Sequence, residues 1–138
     1  MKKLLLALPF IFAAQLAVAI DDQDKENYKN NYTTQLKPLV VQQLSADRPE
    51  MTAGAVDAEA TAYVAKMAEC QFVALSQFPE NYRDKAIMPV AEGADIAETT
   101  YALNQELLQD IETGKLSKDR ATMMITNAQE SVQMCMNS

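Results

Sequence analysis

Cys70 and Cys135 are the two cysteines of a 138-residue chain, and the second lies between Met134 and Met136 in the closing run "QMCMNS". Thiolate with thioether is the ligand set that favours Cu(I), and an isolated thiolate is also a nucleophile. Helical geometry argues against the metal. Successive residues turn by about 100° around a helix axis, so Met134 and Met136 diverge from Cys135 and the three sulfurs cannot meet on one ion. The nucleophile lacks support too, because there is no Cys-x-x-Cys and no histidine anywhere to activate a thiol.

Both cysteines instead continue apolar stripes. Cys70 follows Tyr63 and Met67 and precedes Ala74, while Cys135 ends a line through Ala121, Met124, Ile125, Ala128 and Val132. Two inward-facing cysteines with no competitor predict a Cys70–Cys135 disulfide. Closing a loop of that length removes about 4 kcal/mol of chain entropy from the unfolded state. The remaining methionines fall at core spacing, where the flexible thioether fills gaps.

Other candidate chemistry is thinner. Asp22, Asp24 and Glu26 match the first positions of a calcium loop, but Asn27 stands where glycine is needed and Thr33 where a bidentate glutamate belongs. Glu92, Asp95 and Glu98 share one face of a predicted helix start, and Glu106 and Asp110 share another; acidic residues near a helix N-terminus suit its dipole without any ligand. The absence of histidine removes the usual neutral-pH base and most zinc sites, and no glycine-rich phosphate loop is present. No catalytic residues, metal site or cofactor are expected, and the chain reads as a non-enzyme.

Binding residues are sought instead in "QFPENYRDKAIMP", residues 77 to 89, where the stretch between Pro79 and Pro89 is either a short helix or an ordered connection, longer than most in a small helical domain. Phe78, Tyr82, Arg83 and Lys85 are the candidate partner-binding residues there, Tyr and Arg being enriched at interface hot spots. The competing expectation is that Phe78, Tyr82 and Ile87 pack inward and leave Arg83 and Lys85 in water.

The elements that would position these side chains are helices. Glycine is scarce, with three residues, and apolar spacing follows steps of three and four. One helix gains its face at Tyr28, Tyr32, Leu36, Leu39 and Val40, with a kink or break expected at Pro38. A second starts near Asp57 and runs to about Gln77, apolar over an arc wide enough to be central. A third carries a stripe through Ala94, Ala97, Tyr101, Leu108 and Ile111 from about Val90, and Gly114 closes it. Ser117 caps the last, Leu116 stapling onto Ala121, and the short link makes these two an antiparallel hairpin. The expectation is an all-α bundle of four to five helices with one disulfide.

Export frames the whole. Lys2 and Lys3, an apolar run from Leu4 to Ala14 and an Ala17-Val18-Ala19 cleavage pattern form a secretory signal peptide over residues 1–19. Residues 20–138 are then one domain, with 20–27 expected to be a frayed acidic start. Removing Lys2 and Lys3 leaves 10 Lys and Arg against 19 Asp and Glu, a net charge of −9. That charge disfavours nucleic acid and anionic membrane surfaces and favours a basic protein partner. The expected function is an exported, periplasmic binding protein, an inhibitor or immunity-type module for a basic envelope protein. Secretion to the medium is the alternative destination; a stress-related holdase chaperone and a Cu(I) carrier are the alternative functions.

Overall fold

Asp21 starts the first helix. Its carboxylate accepts the Asp24 amide at 2.8 Å while the Asp24 carboxylate accepts the Asp21 amide at 3.1 Å, a reciprocal capping box. The computed structural model describes residues 19–138, so the expected signal segment lies outside the described residues except for Ala19. Within them, α1 (Asp22–Asp47) begins at once, which corrects the expectation that residues 20–27 fray. The acidic run is the helix cap, and Ile20 ahead of it packs against core side chains. α1 also continues through Pro38, at the cost of the amide that would have bonded to the Thr34 carbonyl.

Thr52, not Asp57, caps α2 (Ala53–Leu75), accepting the Ala55 amide at 3.2 Å. Asp57 lies one turn inside and pairs with Lys37 at 2.9 Å. Together with Lys25–Glu69 at 2.9 Å and Arg48–Glu59, these pairs fix an antiparallel register between α1 and α2. Their energetic share is small, since exposed ion pairs contribute about 0–1 kcal/mol. The packing comes from α2's small buried residues Val56, Ala60, Val64 and Ala68, one per turn, which let α1 approach closely.

The stretch expected as either a short helix or an ordered connection is a helix, α3 (Glu80–Ala91). α3 closes the first core, in which Ile87, Val90 and Ala91 meet Tyr28, Tyr32, Val64 and Ala68. Its C-terminal carbonyls are held from α1: Asn31 donates to Val90 and Ala91 at 3.0 and 3.1 Å. Gln35 donates to the Ala94 carbonyl and accepts the Ile96 amide, both at 2.9 Å. Those bonds set where α4 begins.

α4 (Ile96–Glu112) is capped by Asp95, later than Val90, because Gly93 at φ +98 breaks the chain's helical path. Its buried face is Thr99, Leu103, Leu107 and Asp110, not the stripe through Tyr101 and Leu108, which are 67% and 55% exposed. The Leu103–Leu107 pair wins the interior by joining Tyr82, Ala86, Leu116 and Ala121 in a second core. Asp110 can follow it inward because the Tyr82 hydroxyl donates to its carboxylate at 2.6 Å.

Gly114, at φ +77, and the capping Ser117 deliver the chain into α5 (Lys118–Met136), with Leu116 and Ala121 buried together as the staple requires. The expected hairpin closes only at this base. Beyond it α5 leans on α2 rather than on α4. Three ties hold it there: the Cys70–Cys135 disulfide with Cα atoms 5.6 Å apart, Gln77 to Ser131 at 3.1 Å, and Lys66 to the Ser138 carbonyl at 2.8 Å. Ala121 is the only residue of α5 that is fully buried. The result is the small all-α bundle with one disulfide that the sequence predicts. No helix among the described residues is long and apolar enough to cross a membrane.

Candidate functional site

Because α5 leans away from α4, the two helices bound a groove of about 600 Å³. One wall is α4, through Ile96, Thr99, Thr100, Leu103, Asn104 and Leu107; the other is α5, through Ile125, Ala128, Gln129, Val132, Gln133 and Met136. Met67, Gln71 and Leu75 of α2 contribute to the lining, with Tyr28 and Tyr32 of α1 and with Phe78 and Ala86. The size is within the range of small-molecule sites, about 300–1,000 Å³.

Charge is what sets this surface apart. Asp, Glu, Lys and Arg make up 22% of the chain, yet none of the 19 residues lining the groove is one of them. The polar groups present are amides, at Gln71, Asn104, Gln129 and Gln133, and the hydroxyls of Thr99, Thr100, Tyr28 and Tyr32. Ile125 is left 41% exposed, as expected for an apolar wall that no other helix covers.

Tyr28 and Tyr32 are 3% and 6% exposed, with rings 5.7 Å apart. Burial, reinforced by Tyr63, pushes the Tyr32 hydroxyl up to about 12; burial, reinforced by Tyr32, raises that of Tyr28 as well. Both are therefore neutral hydroxyls at physiological pH. The sign of the pH dependence follows from a folded-state pKa above the unfolded value of 10.0. Their contribution to stability is complete below about pH 10 and declines as the pH rises towards the folded value, because only the unfolded chain releases the proton. Each tyrosine removes about 1.4 kcal/mol per pH unit across that window. Urea unfolding between pH 10 and 12 should show this decline, and Tyr32→Phe should make it shallower by its own share, leaving that of Tyr28; an unchanged slope in the variant would contradict the assignment.

The four residues singled out from the sequence are not brought together as one exposed patch. Tyr82 is 5% exposed and engaged with Asp110. Arg83 pairs with its neighbour Asp84 at 2.9 Å, and Lys85 pairs with Glu106 on α4. Phe78 is half-buried against the second core and also lines the groove. The flagged carboxylates have structural partners too: Asp95 caps α4 at 2.9 Å to the Glu98 amide, while Glu106 and Asp110 hold Lys85 and Tyr82. Among the described residues no three His, Cys, Asp or Glu side chains are grouped to hold a metal, and both sulfurs of the proposed thiolate chemistry are in the disulfide.

Sequence reasoning missed the groove. The stripe Ile125, Ala128, Val132 on α5 was legible, but it reads as core; that it faces an open space depends on α5 leaning on α2. Comparison with known proteins gives no matching family model, no matching curated protein and no matching solved structure, so the groove's own chemistry carries the functional argument.

Proposed function

We propose that this is an exported protein that acts by binding rather than catalysis, and that its ligand occupies the groove between α4 and α5. The observation that carries this reading is the uncharged lining of a 600 Å³ groove in a strongly acidic chain. A concave, mostly apolar lining with a few convergent polar groups and no charge is the kind of surface that holds a small ligand. The disulfide supports export, since such bonds persist in oxidising compartments, and a bacterial periplasm is the compartment that the signal-like N-terminus favours.

A second reading has its own support. Tyr101 and Leu108 lie on one line of α4's outer face, seven residues apart, and are the exposed large apolar side chains of that helix. A basic envelope protein, steered by the acidic surface, would meet them there, as an inhibitor or immunity-type module requires. The two readings separate by photocrosslinking in the native compartment. With p-benzoylphenylalanine in place of Gln129, which lines the groove, an adduct is expected; in place of Leu108, none. Adducts from Leu108 alone would move the function to the outer face of α4 and refute the groove as the site.

A further inference from the structure

We infer that the groove takes a slim, elongated, uncharged ligand, a neutral amphiphile whose buried end is received by the hydroxyls of Tyr28 and Tyr32. The inference rests on the groove being the ligand site and adds which chemistry it selects. Three observations carry it.

The first is shape. From Ile96 to Leu107 the α4 wall spans about 16 Å at 1.5 Å per residue. The α5 wall from Ile125 to Met136 has the same length, so the space between the two helices is elongated along them. An α-helix with its side chains, about 10–12 Å across, is the bulkier competing occupant. An extended peptide would enter but would leave backbone amides and carbonyls short of partners against a mostly apolar wall.

The second is charge. With no ionisable Asp, Glu, Lys or Arg along either wall, a charged group drawn into the groove would lose its hydration without a counter-ion. A neutral head loses far less, and the amides of Gln71, Asn104, Gln129 and Gln133 can hydrogen-bond to it as donors or acceptors.

The third is the pair of hydroxyls. Tyr28 and Tyr32 are each more than nine-tenths buried and both line the groove. Tyr82 is the tyrosine whose hydroxyl has a side-chain partner among the described residues, while no fully buried side-chain oxygen there lacks one. The hydroxyls of Tyr28 and Tyr32 are therefore not sealed from solvent, and because both residues line the groove each is placed to donate to a ligand oxygen there. Buried tyrosines ordinarily find such a partner; a ligand carbonyl, ether or hydroxyl would supply it.

The test uses the mature, disulfide-bonded protein and the neutral dye Prodan, a flat, elongated ketone whose emission reports hydrogen bonding to its carbonyl. Prodan should bind one to one, and Ala128→Trp or Thr100→Trp, from opposite walls, should each abolish binding at unchanged far-UV circular dichroism. Thr100 is exposed, so its variant keeps the test valid if Trp at 128 disturbs α5. Tyr28→Phe and Tyr32→Phe should shift the bound emission to the blue. Decanol should displace the dye at concentrations about tenfold lower than decanoate or decyltrimethylammonium, which share its chain but carry charge. Equal displacement by all three, with Trp still blocking, would leave the groove as the site but overturn neutral selection. Tighter displacement by an amphipathic Leu/Lys helical peptide would overturn the slim ligand in favour of a protein partner. Prodan binding that survives both Trp variants would overturn the inference and the groove reading together.

Discussion

Replacing Cys70 and Cys135 together by alanine should lower stability by about 4 kcal/mol, the chain-entropy value for a bridge spanning 65 residues. For a domain of this size that corresponds to a fall of roughly 15 °C in Tm. The loss should be distributed unevenly. α5 has one fully buried residue, and past Ala121 it is tied by the disulfide and two exposed hydrogen bonds. Hydrogen exchange in the folded variant should therefore accelerate over residues 125–136 while the amides of α1 and α2, around Tyr28, Val64 and Ala68, keep their protection. Groove binding should go with it, because α5 supplies a whole wall. Retained protection over 125–136 would mean that packing on α2 holds α5 without the bridge and that the disulfide is dispensable to the site. The same logic bears on a soft-metal role: with both sulfurs bonded to each other, a thiolate ligand exists only after reduction, which on this prediction should also release the helix that carries Cys135.

What the sequence made legible is what local chemistry decides. Ser117 and Gly114 are read correctly because a cap and a left-handed turn are set by the residue itself, and the disulfide is read correctly because both cysteines continue apolar stripes. α4 is misread for a physical reason. Its helix has two usable faces, one through Ala97, Tyr101 and Leu108, the other through Leu103 and Leu107 flanked by Thr99 and Asp110. Apolar counting favours the first. Burial selects the second because Tyr82, on another helix, neutralises the cost of bringing Asp110 inside. A buried carboxylate satisfied at a separation of 28 residues leaves no periodic signal. The acidic start is misread for the opposite reason: Asp21 and Asp24 have a capping-box spacing, but a run of charge hides it. The groove is further still from the sequence, since it exists only because two helices joined by a tight link diverge, and the link does not specify the angle between them.

Tyr82 then separates a structural role from a binding role. Tyr82→Ala should destabilise the domain by about 3–5 kcal/mol, the range for removing a large buried aromatic ring. The side chain is 5% exposed, packs with Ala86, Leu103 and Leu107, and gives Asp110 its close donor; the Lys115 ammonium is the other group in reach, at 3.9 Å. Tyr82→Phe keeps the ring and removes only the hydroxyl. Its expected cost is about 1.5–3 kcal/mol, as for a hydrogen bond to a charged group, and adding Asp110→Asn should recover part of it, because the carboxylate left without its donor accounts for much of the loss. Arg83→Ala, whose partner is an adjacent surface Asp84, should change stability by less than about 0.5 kcal/mol. Urea unfolding of the four variants checks the order. If Tyr82→Ala proved as mild as Arg83→Ala, then Tyr82 would be free to anchor a partner, and the second core would have to be held by other contacts. If instead the predicted order holds, any loss of partner capture in a Tyr82 variant reports unfolding, and the test of residues 77–89 as a binding surface passes to Arg83 and Lys85, which can be changed without touching the core.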